Sequence, residues 1–501
     1  MHASDQLKQA VCEGRIDVDQ LIDLVVTLQR QLQIANQRIA ELEQKLGGPP
    51  ASKVEQPFSV RAEEQRQQAR GNHHQPKNKK TRNQRGRVRT AAKIAQAQRH
   101  EDVLPEGLTK RDCQESHVRP VWRLEHGHAV LIAYHIYRGP RHQYGKIPGV
   151  LGRSEFGIEI ILEIAHLVYV IGLSFDKVCA LLQFFQELRL GKAQVDALLH
   201  RLARHWQHEF DVLCTLLAHA LVVHADETRW SLHSAWAFLS EKARLLFFGV
   251  HKDADTLQKI LDPATFTGLV ISDDAAIYAN FSKAQKCWAH LLRKAIKLTL
   301  QDPSNPEYRV FTDTLLTIYR QACRVQTDGR LKDAGRARKV AALDDAILEL
   351  CAPRWVAELP PLADGPENDY RRLVNELMRL MLEQQLFTFV TSVAAAQPNG
   401  NHQAAAGTNN EAERTLRGVA QARVTGRTNK TLVGARRQTI VSSVLESLRL
   451  YLPRFTLGSV QAEIQRWLEV GQSCFVALFE QLKLRPPSQS VLDQVYPSPD
   501  G

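Results

Sequence analysis

No stretch of this 501-residue sequence stays apolar for the roughly 18 to 20 residues that a membrane-spanning helix needs. The best candidate, residues 158–173, is interrupted by Glu159, Glu163 and His166 and reads as a buried helix. The first residues are polar, with Glu13 and Arg15 among them, so no secretory signal pattern is expected. The eight cysteines nowhere form a C-x2-C pair, which leaves reduced structural thiols in a cytosolic protein as the plain reading. Acidic residues are in deficit: 54 Asp and Glu stand against 65 Lys and Arg, a net charge of +11. That sign favours a polyanionic partner, with nucleic acid ahead of an anionic membrane. With 44% hydrophobic residues the chain can bury several cores, and its length suggests about three domains.

What is present is unevenly distributed. Leu21, Val25, Leu28, Leu32, Ala35, Ile39, Leu42 and Leu46 alternate steps of four and three, a heptad seam that Gly47, Gly48, Pro49 and Pro50 end. Residues 1–48 are therefore expected to form a coiled coil that joins copies of the chain, with a surface helix as the alternative. Residues 61–100 hold twelve Lys and Arg against two Glu, almost the entire surplus of the chain. Having few large apolar residues, the segment 49–105 is expected to be a flexible basic arm. Lys79, Lys80, Arg82, Arg85, Arg87 and Arg89 would neutralise phosphates by counterion release.

Residues 106–150 contain His126, His128, His135 and His142 and alternate like strands near 129–137. Cys113 and His117 supply two zinc ligands of four, so zinc is not expected there. Residues 151–215 read as helices broken at Gly172, with Ser174 as an N-cap and a second helix after Gly191. Such a pair fits either a helix-turn-helix reader of DNA or ordinary helical packing.

The chemistry concentrates after residue 216. Ala220-Leu221-Val222-Val223 runs into His224-Ala225-Asp226-Glu227-Thr228, a buried-strand pattern that ends in carboxylates. Two further strand patterns follow, at 235–239 and 245–250, completing a meander. A helix at 255–261 then leads to Gly268-Leu269-Val270-Ile271-Ser272-Asp273, a fourth buried strand that again ends in a carboxylate. A strand reached through a helical crossover tends to lie parallel in the same sheet, which would bring Asp226 and Asp273 together. Asn409-Asn410-Glu411-Ala412-Glu413 opens a later helix, with Asn410 expected at the N-cap. Glu413 then serves either as part of a capping box or as a third carboxylate. Two strand-end Asp and a helical Glu on a basic chain suit phosphodiester chemistry at a pair of hard divalent ions.

Taken in order, these motifs resemble the insertion-sequence family 66 transposases: His224 to Thr228, Ser272-Asp273 with Tyr278, Cys287-Trp288-Ala289-His290 with Arg293-Lys294, and Asn409-Asn410 with Ala412-Glu413-Arg414. The resemblance covers roughly residues 20 to 455 and implies a DDE enzyme with an RNase H-like α/β core. Asp226, Asp273 and Glu413 would be both catalytic residues and metal ligands. Asp274 stands where that family usually has Gly, so either Asp273 or Asp274 offers itself as the second ligand. The paired cysteines of the family's zinc segment are absent.

The resemblance also implies a division of the chain. The catalytic domain would span 216–455, with an all-helical insertion at about 291–405, and a helical tail would occupy 456–501. Helices are expected within the insertion at 291–300, 311–325, 341–350 and 370–396. His290 and Arg293 at its entrance, and Arg414 and Arg417 beyond Glu413, are expected to contact DNA.

The implied reaction is Mg²⁺- or Mn²⁺-dependent cleavage at element ends, followed by strand transfer into target DNA. Implied partners are double-stranded DNA at terminal repeats and target, a second copy through the coiled coil, and accessory proteins of the same element, in a nucleoid-associated cytoplasmic setting. Two other readings compete. One is a silent DNA-binding protein that keeps the fold; the other is a metal-dependent nuclease that joins nothing.

Overall fold

The computed structural model describes residues 90–355, 365–392, 395–396, 398, 402–403, 405–485 and 489–496, all within the unit Lys79–Gly501. The heptad segment and the arm cations Lys79, Lys80, Arg82, Arg85, Arg87 and Arg89 lie outside the described residues. No helix among the described residues is long and apolar enough to cross a membrane.

The fold mixes α and β, with two sheets of mixed strand direction surrounded by helices. The first sheet has the order β1 (Arg99–Val103), β3 (His128–Arg138), β2 (Gln114–Glu125). On its surface His135 lies between Glu115 at 3.0 Å and His100 at 2.9 Å, while His117 contacts Ser116.

Four helices follow: α1 (Ile158–Ala165), α2 (Phe175–Gln186), α3 (Lys192–His205) and α4 (Gln207–Ala218). A π-helical turn, His166–Val170, extends α1. Gly172 then adopts φ +77°, a left-handed conformation that glycine takes without a Cβ clash. Ser174 caps α2 by accepting from the Lys177 amide. The inner faces of α1 to α4 are buried in one continuous core with the second sheet. The α2–α3 pair, which could have stood apart as a DNA-reading module, is thus packed onto the sheet domain through Val195, Leu199 and Leu202.

The second sheet holds β4 (Val222–Arg229), β5 (Ser234–Ser240), β6 (Arg244–Val250), β7 (Leu269–Ser272) and β8 (Ala284–Lys286), in the order β6-β5-β4-β7-β8. The first three are antiparallel, as the alternating runs suggest, while β7 and β8 run parallel to β4. The crossover is α5 (Ala254–Ile260), capped by Asp253, which accepts from the Thr256 amide at 2.8 Å. Strand β8 is too short to leave a pattern in the sequence.

An edge strand as apolar as β6 invites unwanted pairing. Helix α11 (Leu432–Tyr451) closes it with hydroxyls four residues apart. The amides of Arg244, Leu246 and Phe248 donate to Ser447, Ser443 and Thr439 at 2.9, 2.9 and 3.1 Å.

After β8 come α6 (Trp288–Gln301), α7 (Pro306–Thr327), α8 (Asp333–Cys351) and α9 (Pro366–Leu382). Their apolar faces form a second core, which also takes Val222, Leu269 and Ile271 from one face of the sheet. The helix expected to run on to residue 396 stops at Leu382, where Gln384 adopts φ +57°. The chain there turns back to the sheet, and the Gln285 and Trp288 side chains both donate to the Leu386 carbonyl.

Beyond residue 405 come α10 (Asn410–Val424), α11 (Leu432–Tyr451), α12 (Leu457–Val470), α13 (Cys474–Gln481) and α14 (Val491–Val495). Tyr496 after α14 bonds Phe248 and Thr439, tying the C-terminal segment to β6.

Candidate active site

Side chains alternate across a strand, so Asp226 shares a face with Val222 and His224, while Glu227 shares the opposite face with Val223 and Ala225. The register pairs Val222 with Leu269 and His224 with Ile271. Continued by two residues, it sets Asp226 beside Asp273 on neighbouring parallel strands. Both acids therefore emerge at the same edge for a reason of register.

The third carboxylate arrives on α10, whose start is pinned to the sheet. The Asn409 side chain donates to the Ala225 carbonyl at 2.8 Å, and its backbone amide donates to the Cys287 Sγ at 3.1 Å. The Trp288 amide donates to Gly407 at 3.0 Å. A Cβ at Gly407 would come within 3.0 Å of Phe389 and 3.1 Å of Tyr319, so glycine permits this close passage.

The helix begins at Asn410 with Asn409 at the cap position, one residue earlier than expected, and no side-chain capping bond forms. The capping-box reading of Glu413 is thereby removed: the Asn409 amide group is drawn to β4, and Glu413 turns outward to Arg293. Arg293 Nη2 donates to its two oxygens at 2.7 and 3.0 Å, and His290 Nδ1 lies 3.6 Å away.

The charges at this edge are crowded. The Asp226 carboxyl is pushed up to about 7, first by burial, then by Glu227, with Asp273 and Glu413 also raising it. Two carboxylates distant in sequence, Asp273 and Glu413, thus act on Asp226.

Glu227, whose side chain is 3% exposed, is satisfied by Lys252 and by the buried Tyr278 hydroxyl, which donates at 2.5 Å. The Lys252 ammonium is held above its usual range by its hydrogen bond to Glu227, with Asp273 and Asp226 adding to the effect. Burial together with these carboxylates drives the Tyr278 hydroxyl upward.

Asp273 and Asp274 part company. The Asp273 side chain accepts from the Ala275 amide at 3.1 Å, whereas Asp274 forms ion pairs with Arg379 and, at 4.0 Å, Lys286. Buried Lys286 also donates to the Asp273 carbonyl at 3.1 Å, and its burial lowers its affinity for a proton. A cavity of about 920 Å³ opens beside Asp273, between α6 and α9, with Lys286, His290, Trp355 and Arg379 among its walls.

Two donor sets could receive a cation. Asp226, Asp273 and Glu413 offer hard carboxylate oxygens. Among the described residues, the group whose ligand atoms all lie within 4.8 Å of one another is Cys287, His290 and Glu413; Asp226, Asp273 and Glu413 are not gathered so closely. In the second set burial raises the Cys287 thiol, which disfavours the thiolate form that a metal ligand uses.

Of the residues expected to meet DNA, Arg293 and His290 sit against Glu413, while Arg414 and Arg417 extend from the exposed side of α10. Arg417 lines a second groove together with Arg427, Lys430 and Arg437. Lys252, Lys286 and the structural part of Asn409 were not singled out from sequence. A polar residue closing the short run before Cys287 was the one available signal for Lys286.

A family model described as Transposase IS66 family matches residues 153–437. No curated protein matches the chain.

Proposed function

This chain belongs to the IS66 transposase family, and from that premise we propose that it cleaves DNA at insertion-sequence ends and joins the freed 3′ ends to target DNA. The observation that carries this reading is the parallel register of β4 and β7, which sets Asp226 beside Asp273, where burial, Glu227, Asp273 and Glu413 raise the Asp226 carboxyl to about 7. Such a concentration of like charge calls for a cation at neutral pH, and oxygen donors suit Mg²⁺ or Mn²⁺. Asp226, Asp273 and Glu413 would hold two such ions. When bound, ions of this kind activate a water or 3′ hydroxyl for attack and stabilise the leaving oxygen of a phosphodiester.

The strand order β6-β5-β4-β7-β8, three antiparallel strands and then two parallel to the first, supports an RNase H-like catalytic core. Helices α6 to α9 would be its inserted platform. Asp273 is preferred to Asp274 as ligand, because Arg379 and Lys286 already engage the latter. Lys286 fixes the backbone that presents Asp273, and Asn409 fixes the helix that presents Glu413. The exposed guanidiniums of Arg414 and Arg417 would grip backbone phosphates, which position DNA without reading its sequence. The basic arm would add counterion-release affinity, and the heptads would join copies of the chain.

The test is cleavage of a supercoiled plasmid carrying the element ends, with Mg²⁺ or Mn²⁺. Asp226→Asn should lower the rate by roughly 10³-fold or more, as expected when one member of a catalytic unit is lost. Full metal-dependent nicking by the variant would remove Asp226 from the site. Wild-type binding to DNA without any cleavage would leave a silent DNA binder, and cleavage without joined product would leave a nuclease.

A further inference from the structure

The cations along α6 divide by direction. Lys294 and Lys297 reach across to α9, pairing with Glu376 at 2.6 Å and Asp369 at 2.7 Å. Arg293 instead turns toward the strand ends and lays one nitrogen across both oxygens of Glu413. Its Nε donates to the Ala289 carbonyl of its own helix at 3.2 Å, which fixes the approach of the guanidinium. Both oxygens of Glu413 are thus occupied by a positive group.

We propose that Arg293 gates the metal site in response to DNA. With no DNA bound, its guanidinium holds Glu413 and repels a divalent cation. A backbone phosphate of bound DNA draws the guanidinium away, and Glu413 becomes available as a ligand. This inference rests on the metal-site reading given above.

Three physical facts make the exchange workable. Arg293 is more than half exposed, and exposed ion pairs are weak enough to open readily. A guanidinium matches phosphate as well as it matches carboxylate, so it loses no partner by moving. A cation cannot share Glu413 with a positive group 2.7 Å away without strong repulsion. Linkage then requires that DNA and metal each promote the binding of the other by the same factor.

The experiment is calorimetric titration of Mn²⁺ into the full chain, with and without a duplex oligonucleotide. Wild type should bind Mn²⁺ about tenfold more tightly with DNA than without, within the usual range of coupling. Arg293→Gln should bind Mn²⁺ without DNA as tightly as wild type does with it. Arg293→Lys, which keeps the charge, should retain the DNA dependence. So should Lys294→Gln, which removes the same charge one residue away. Equal wild-type affinities with and without DNA, or a DNA dependence that survives in Arg293→Gln, would overturn the gate alone. Mn²⁺ binding unaltered by Asp226→Asn would instead overturn the metal site beneath it.

Discussion

Helices α6 to α9 and the sheet edge beside them differ in how they handle charge. On α6 to α9 and the turn that follows α8, charged residues meet opposite neighbours: Lys294 with Glu376, Lys297 with Asp369, Arg354 with Glu307, Arg371 with Glu367. At the ends of β4 and β7, Asp226 stands near Glu227, Asp273 and Glu413, and burial first, then these carboxylates, push its carboxyl up to about 7. Matched pairs keep a helical surface soluble and ordered. Like charges pressed together cost stability, and folds retain such clusters where function requires them. The difference rests on Asp226, because Glu227 and Glu413 at the same edge are paired with Lys252 and Arg293.

The contrast is broken most severely by attacking the scaffold's interior. Trp288 is fully buried, stacks on Tyr319 and donates from its indole to the Leu386 carbonyl at 2.7 Å. Trp288→Ala should cost about 3–5 kcal/mol in denaturant unfolding, the range for loss of a large aromatic from a core. A cost below about 1 kcal/mol would mean that the insertion contributes little to the stability of the sheet it covers.

Next in size is the pH dependence of the site. A folded Asp226 holds its proton to about 7, while an unfolded aspartate loses it near 3.9. Below about pH 4 both states are protonated and nothing is lost. As pH rises from 4 to 7 the wild type loses stability by about 1.4 kcal/mol for each pH unit, and above 7 the penalty is constant. In metal-free buffer, Asp226→Asn should match wild type at pH 4 and exceed it by up to about 4 kcal/mol at pH 8. Equal stabilities at pH 8 would show that Asp226 is not under charge strain.

The smallest effect belongs to a scaffold pair. Lys297→Ala breaks an exposed contact with Asp369 and should change stability by about 0–1 kcal/mol, diminishing with added salt. A larger loss would mean that the insertion's surface charges are more than solvated partners.

Much of the sheet was legible because its strands have distinct patterns. β5 is buried at every position and β4 is an apolar run ending in acids, so both announce themselves, and a parallel β7 follows from its helical crossover. Less legible were features fixed by contacts distant in sequence. The start of α10 moved by one residue because Asn409 is held by Ala225, 184 positions earlier. The last long helix of the insertion ended at Leu382 because Gln285 and Trp288 bind the Leu386 carbonyl. The hydroxyl spacing of Thr439, Ser443 and Ser447 is visible in the sequence, but nothing there says that it closes an edge strand.

Local chemistry determined which residues would be strands, which would be helices and which acids would stand at their ends, because periodicity and burial preference act over a few neighbours. Tertiary structure alone decided which partner each charge received: Arg379 for Asp274, Lys252 for Glu227, Arg293 for Glu413. Electrostatic energy depends on distance and burial, and both exist only once the chain has folded.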